Sequence, residues 1–134
     1  MLPDELDDNA LYAAFTSASL DRAQFHHREH VRVAFVCLQR TADLAAAASE
    51  FRRSLRQLTV ALGVERIYHE TLTWAYLIMI QQRMAAADPA FATSFDLIAA
   101  HPDLLDHHGG ALAKHYDVAA ITASPLARSC FVLP

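Results

Sequence analysis

Hydrophobic residues recur along this chain at steps of three and four, which is the spacing of one face of an α-helix. The clearest stripe runs from Leu44 to Leu62, with Asp43 before it as an N-cap and Gly63 after it as a C-cap. Comparable stripes predict four further helices, at about residues 4–17, 19–40, 66–86 and 88–101. The pattern therefore predicts an all-α fold.

Local signals place two helix starts and the centre of the core. Ser19 or Asp21 is positioned to cap the second helix. Asp88 followed by Pro89 predicts the start of the fifth helix, with aspartate as the N-cap and proline at the first helical position. The fourth helix is apolar on nearly every side over 72–80, so we expect it to be the central element of the core.

The last third of the chain carries shorter signals. A short helix is expected from Pro102, Gly109–Gly110 breaks the chain, and Ser124–Pro125 starts another helix. The apolar tail Phe131–Pro134 is expected to pack on the body of the protein. The predicted architecture is a single helical domain over residues 1–134, a bundle of about five main helices with a short helical C-terminal region.

Composition supports this fold class and limits the classes of partner that the protein is expected to bind. Three glycines and five prolines among 134 residues are too few for the frequent tight turns of an all-β fold. A net charge of −4 does not attract nucleic acid, and no apolar stretch approaches the ~20 residues that span a bilayer. We expect a small-molecule ligand, no nucleic-acid or membrane partner, and allow a homodimer. The acidic start Met1–Glu5 differs from a signal peptide and predicts a cytoplasmic protein.

Candidate chemistry begins at residues 25–32, where His26, His27 and His30 open the second helix. His27 and His30 continue the stripe of Val31, so both are predicted to face inward, while His26 lies on the flank. Inward imidazoles must be hydrogen-bonded or metal-bound, because an unpaired buried polar group costs a few kcal/mol. The alternative is that they lie partly exposed at the helix end and make only local hydrogen bonds.

A second imidazole–carboxylate pair, His69 and Glu70, opens the fourth helix. Both flanks are apolar, so at least one of the pair is expected to be buried, and a buried carboxylate needs a cation, a metal or a proton. If this helix start meets the first, three nitrogens and one oxygen would suit a divalent first-row metal such as Zn, Fe, Mn or Ni. The predicted metal ligands are His27, His30, His69 and Glu70. The alternative is a structural Glu–His hydrogen bond between two helices.

Several segments resemble a family of small bacterial helical proteins for which no activity is established. The family pattern F-x-H-x-x-H-x-R-x-A is similar to residues 25–34, and Y-H-E-T-x-T is similar to residues 68–73. Two later elements, N-P-D-L-L and S-P-x-A-R, resemble His101–Leu105 and Ser124–Arg128, with histidine in place of the asparagine. The resemblance spans residues 25–128. It implies that the four predicted ligands act as a set, but it implies no particular reaction.

The remaining polar residues carry weaker signals. His107–His108 precedes two glycines and predicts a polar turn, although a looped histidine pair could also act as a lid over a site. His101 and His115 are assigned no role. Three side chains that could line a pocket, or make ordinary core contacts, are Tyr68, Thr73 and Tyr76. The sequence contains no G-x-S-x-G, phosphate-binding or dinucleotide-binding motif.

Together these patterns favour a small metal-dependent enzyme that acts on a small organic molecule, with His27, His30 and His69 holding the metal. Glu70 would be the fourth ligand, or the general base that moves a proton to or from metal-bound water. Two alternatives use the same residues. One is a non-catalytic module that binds a metal or a small ligand, and the other is metal-free acid–base catalysis by a His–Glu dyad.

Overall fold

The computed structural model describes residues 5–41 and 43–134, and within these ranges it contains α-helices and short 3₁₀ turns but no β-strand. The prediction of an all-α fold is confirmed. The predicted start of the first helix at residue 4 lies outside the described residues. No helix in the described ranges is long and apolar enough to cross a membrane. The helices are α1 Asp8–Thr16, α2 His27–Arg40, α3 Leu44–Ala61, α4 Glu70–Ala86, α5 Ser94–Ala100, α6 Val118–Ala123 and α7 Pro125–Ser129.

α3 begins and ends as its sequence predicts. The side chain of Asp43 accepts a hydrogen bond from the amide of Ala46 at 2.7 Å. After the last turn Gly63 has φ of +70°, and its amide and that of the next residue donate to the carbonyls of Val60 and Thr59. These two bonds form a Schellman motif, which requires the left-handed backbone that glycine adopts without strain.

α2 begins later than predicted, at His27. Asp21 does act as an N-cap, but only of the 3₁₀ turn Arg22–Gln24. The side chain of Gln24 accepts a hydrogen bond from the amide of Asp21 at 3.0 Å and so closes a capping box around this single turn. Phe25 then leaves helical geometry, with φ of −129° and ψ of 88°, and the helix starts anew.

The fourth and fifth helices also start later than predicted. α4 begins at Glu70, after the 3₁₀ turn Glu65–Ile67. The N-cap of α5 is Thr93 and not Asp88, because the side chains of Thr93 and Asp96 each accept a hydrogen bond from the other's amide. This reciprocal capping box satisfies two amides at the start of the helix. Residues 87–93, which include Asp88 and Pro89, are not helical.

The central element of the core is α2, which packs against α1, α3, α4 and α5. All eight residues of Val31–Leu38 are buried. The expectation that the fourth helix is central is wrong. Buried and half-buried residues alternate along most of α4, and two of its apolar side chains, Leu72 and Tyr76, line a cavity. Hydropathy along one helix does not reveal whether neighbours surround it, and here they surround α2.

The buried stretch of α2 includes the charged residue Arg32, which is 1% exposed. Its Nε donates to Ser94 Oγ at 2.8 Å, and its Nη2 lies 3.2 Å from Asp8 Oδ1. The guanidinium carbon also lies 4.1 Å from the centroid of the Phe95 ring. Removing either charge of such a pair strands the other in the interior, so Arg32 fastens α1 and α5 to α2.

The C-terminal tail is held against α4 by hydrogen bonds to its backbone, whereas its side chains Phe131 and Leu133 are exposed, so the expected apolar packing is limited to Val132. Thr71 Oγ1 donates to the carbonyl of Cys130 at 2.8 Å and accepts from the amide of Val132 at 3.0 Å. The Tyr116 hydroxyl donates to the carbonyl of Val132 at 2.6 Å. These bonds bring the segment after residue 110 against α4, where it forms one side of the cavity described below.

Candidate ligand-binding site

A cavity of about 420 Å³ lies where α2, α3 and α4 meet the segment 107–122. Small-molecule sites in proteins occupy roughly 300–1,000 Å³ and have mostly apolar walls. Among the described residues, those lining the cavity include no lysine, arginine, aspartate or glutamate. Its apolar lining is formed by Phe25, Val31, Ala34, Phe51, Leu55, Leu58, Leu62, Val64, Ile67, Leu72, Leu112 and Val118.

One face of α2 supplies two histidines to this cavity. The residues of that helix that line it are His27, His30, Val31 and Ala34. These four positions are the stripe that the sequence predicts to face inward. His26 precedes the helix as its N-cap, is exposed, and donates its amide to Glu29 Oε1 at 2.8 Å. Its backbone is extended, with φ of −113° and ψ of −177°, so His26 lies outside the cavity lining because it precedes the helix.

His27 is held in one tautomer by the backbone. Its Nε2 lies 2.8 Å from the carbonyl oxygen of Leu104. A carbonyl only accepts hydrogen bonds, so in the neutral ring Nε2 carries the proton and Nδ1 is an acceptor. Burial is the main reason that the pKa of His27 is lowered, and the neighbouring His107 adds to the effect. His27 is therefore a neutral imidazole with one fixed bond.

His30 is half-buried, and its ring packs on Phe25 with centroids 4.1 Å apart. Burial, together with the nearby imidazoles of His27 and His107, lowers the pKa of His30 to about 3, so this ring is neutral at physiological pH. No other described residue hydrogen-bonds to the ring, and its nitrogens are not among the fully buried polar atoms. A neutral imidazole offers one donor and one acceptor, and His30 is one of the residues that line the cavity.

His69 also lines the cavity, but its ring nitrogens are both engaged. Nδ1 accepts a hydrogen bond from the amide of Leu72 at 3.1 Å, and Nε2 lies 2.9 Å from the carbonyl oxygen of Ile121. The side chain is buried, with 6% exposed. His69 thus caps α4 and ties it to α6. It would have to give up one of these bonds to coordinate a metal.

Glu70 lies beside His69 in sequence but is not part of the cavity lining. Its carboxylate accepts hydrogen bonds from Arg52, at 3.0 Å from Nε and 2.7 Å from Nη2, and from the hydroxyl of Tyr68. Burial alone would raise the pKa of Glu70, but the bonds from Arg52 and Tyr68 outweigh it and the pKa is lowered. Glu70 is an ionised partner in an interhelical ion pair, and its bonds do not go to His69.

The structure thus brings three of the four predicted ligands to one cavity and leaves the fourth outside it. The three are His27, His30 and His69, and the fourth is Glu70. Among the residues described, no group of three or more His, Cys, Asp and Glu side chains is arranged to hold a metal ion. The arrangement that is present is an apolar cavity with imidazoles in its wall.

The loop of His107 and His108, for which the sequence predicts a polar turn or a lid over a site, contributes both histidines to the cavity lining. The His107 ring centroid lies 4.9 Å from that of His27. Asp106 Oδ1 fixes the loop by accepting from the amides of His108 and Gly109 at 3.1 and 2.9 Å. The signal for this turn was present in the sequence, but its contact with α2 depends on the tertiary fold.

Tyr76 closes the same end of the cavity. Its ring lies edge-on to His27 with centroids 4.8 Å apart. Burial, with a smaller contribution from Asp106, raises the pKa of Tyr76 to about 12. The hydroxyl oxygen is buried and has no hydrogen-bond partner among the described residues. A buried unpaired hydroxyl is costly and rare, so this end of the cavity has unused hydrogen-bonding capacity.

His101 and His115 lie outside the cavity lining. The Nδ1 of His101 is 2.9 Å from Nη1 of Arg83, which also donates to Asp103 at 3.0 Å. His115 is exposed and follows the 3₁₀ turn Ala111–Lys114. Neither residue contacts the imidazoles of α2, so the candidate site is confined to the cavity.

Comparison with protein-family models, curated proteins and solved structures finds no match to this chain. The resemblance to a bacterial family therefore stays a prediction. The function has to be argued from the geometry of the cavity.

Proposed function

We propose that the protein binds a small, predominantly apolar molecule in the cavity between α2, α3 and α4. The observation that carries this proposal is an apolar cavity of about 420 Å³ whose wall includes an imidazole, His30, without a hydrogen-bond partner among the described residues. An apolar ligand would fill the space, and burial of apolar area provides the main favourable free energy. A polar group on the ligand would pair with the imidazole.

A binding titration tests this proposal. The uncharged, environment-sensitive dye N-phenyl-1-naphthylamine should bind with one site per chain and gain fluorescence. Val118 lines the cavity and is half-buried, whereas its neighbour Ala119 is exposed and lies outside the lining. We expect Val118→Trp to weaken dye binding at least about tenfold by filling the cavity, which removes more than ~1.4 kcal/mol of binding free energy.

The matched control is Ala119→Trp, which adds the same side chain one residue away and should leave the affinity unchanged. Circular dichroism would establish that both variants keep the helical fold. Equal dye affinity in the two variants, or no saturable binding by the unaltered protein, would contradict the proposal.

A metal-dependent enzyme is the second candidate. It is favoured by the pair His27 and His30, one turn apart on α2, together with the His107 ring 4.9 Å from His27. Neutral imidazoles are the form that binds first-row metals. In this candidate the pair on α2 would bind the metal, and His69 and Glu70 would join only after exchanging their present hydrogen bonds.

Elemental analysis tests this second candidate. Protein purified without chelators should contain about one equivalent of Zn, Fe, Mn or Ni, and His30→Ala should lose it. A variant of an exposed histidine outside the cavity, His115→Ala, is the control and should retain the metal. Metal below a tenth of an equivalent in the unaltered protein would exclude this candidate while leaving the binding of an apolar molecule intact.

A further inference from the structure

The charges around the cavity restrict what it can hold. Among the described residues none of the lining side chains is a lysine, arginine, aspartate or glutamate. The nearest carboxylate on α4, Glu70, is turned toward Arg52 on α3. Asp106, next to the lining loop, accepts hydrogen bonds from the amides of His108 and Gly109 and is not a lining residue. A carboxylate or ammonium group buried among the lining side chains would therefore lose its hydration without contacting an oppositely charged lysine, arginine, aspartate or glutamate of the wall. That loss is large enough to exclude charged ligands from an apolar site.

The polar atoms available in the wall define a second restriction. His30 presents one donor and one acceptor nitrogen, neither of which bonds to another described residue. His27 adds an acceptor at Nδ1, because its Nε2 proton is bonded to Leu104. The hydroxyls of Thr59 and Thr73 are engaged, because each donates to a backbone carbonyl. The open hydrogen-bonding positions of the wall therefore lie on the α2 histidines and, at the end near His27, on the Tyr76 hydroxyl and the rings of His107 and His108, none of which bonds to another described residue.

We propose that the ligand is an uncharged molecule with an apolar body and a hydroxyl group, and that His30 hydrogen-bonds to this hydroxyl. This inference rests on the proposed function. An alcohol or phenol hydroxyl both donates and accepts, so it matches an imidazole that offers both. A ketone uses only the donor nitrogen. The histidine is a binding residue in this proposal, and no bond is made or broken.

Displacement of the bound dye by four probes of equal chain length tests the selectivity. The probes are 1-octanol, 2-octanone, octanoate and octylammonium. We expect 1-octanol to displace the dye most effectively, 2-octanone to bind several-fold more weakly, and the two ions at least about tenfold more weakly than the alcohol, because each charge is buried without a partner. Octanoate or octylammonium binding as tightly as 1-octanol would overturn the proposal.

Variants of His30 test the assigned contact. His30→Phe keeps an aromatic ring against Phe25 but removes both nitrogens, and should weaken 1-octanol about tenfold while changing dye affinity less than about twofold. His30→Asn restores a donor and an acceptor and should recover most of the affinity for 1-octanol. His115→Phe is the control for the substitution itself.

The outcomes separate this inference from the proposed function. If the unaltered protein does not bind the dye saturably, the proposed function is wrong, and so is this inference, which rests on it. If the dye binds but His30→Phe binds 1-octanol as tightly as the unaltered protein, only the hydroxyl contact is wrong. If His30→Phe does not fold, His30→Asn tests the contact instead. His30→Asn that still binds the dye but no longer binds 1-octanol would also contradict the contact.

Discussion

His30 and His69 have similar settings in the sequence, because each stands at the start of an apolar helical stretch with a glutamate as a neighbour. The structure gives them opposite roles. His69 uses both ring nitrogens, one to cap α4 and one to tie α4 to α6. The ring of His30 hydrogen-bonds to no other described residue and is part of the cavity lining. Two histidines in one cavity wall can therefore differ completely in what they have left for a ligand.

The largest effect that sharpens this comparison is expected at His69. His69→Ala should lower the free energy of unfolding by about 2–4 kcal/mol, because it removes the cap of α4 and the hydrogen bond that joins α4 to the carbonyl of Ile121, which then keeps only the amide of Ser124 as a donor. Urea denaturation followed by circular dichroism measures this loss. His69→Asn, which retains a capping group, should recover about 1 kcal/mol. If His69→Ala lowers the free energy of unfolding by less than about 0.5 kcal/mol, the two ring bonds of His69 contribute little to stability. His69 would then not differ from His30 as a structural residue.

The second prediction concerns pH and His30. Its pKa of about 3 in the folded protein lies below the value near 6.5 of an unfolded chain. The unfolded chain therefore binds more protons between these values. The stability that this neutral imidazole confers is fully present above pH 6.5 and is lost as the pH falls toward 3.

Measurement of the free energy of unfolding at pH 7 and at pH 4.5 tests whether stability falls as the pH is lowered. Between these values the unaltered protein should lose on the order of 2 kcal/mol more than His30→Gln, which has no group that titrates in this range. His115→Gln, at an exposed position outside the cavity, is the control for replacing a histidine by glutamine. Identical pH profiles for the unaltered protein and His30→Gln would show that folding does not lower the pKa of His30.

The smallest effect is expected at Glu70. Glu70→Gln weakens the partly exposed ion pair with Arg52 and should cost about 1 kcal/mol of stability, with dye affinity changed less than about twofold. Arg52→Gln, which alters the other partner of the same pair, is the matched comparison. A tenfold loss of ligand binding in Glu70→Gln alone would assign the carboxylate to the cavity function, as the metal-dependent hypothesis requires.

Part of the site was predictable because it depends on helical spacing. The inward stripe of α2 selected His27 and His30 and placed His26 on the flank, and the structure agrees. The role of His69 was hidden by an error in helix position. With the fourth helix predicted from about residue 66, His69 falls inside its first turn, whereas the actual start at Glu70 makes His69 the N-cap. A boundary shift of a few residues changed a capping residue into a predicted ligand.

Other contacts had no local signal. Arg128 lies in one of the segments that resemble the bacterial family, and its Nη1 donates to the carbonyls of Arg66 and Tyr68 at 3.0 and 3.4 Å. Leu104, in the segment His101–Leu105, supplies the carbonyl that fixes His27. The segments 101–105 and 124–128 therefore hold the elements around the cavity in place. Gly110 has a comparable role, because a Cβ there would lie 2.2 Å from the carbonyl oxygen of Asp103.

The sequence by itself determined the all-α class and the faces of the helices, because these depend on the spacing of apolar residues and on caps within a few positions. Only the tertiary structure decided which inward polar groups are satisfied. The carbonyls that engage His27 and His69 come from residues 77 and 52 positions away. Hydrogen-bond partners at such separations are set by how the helices pack. The difference between a capping histidine and a ligand-binding one therefore follows from helix packing.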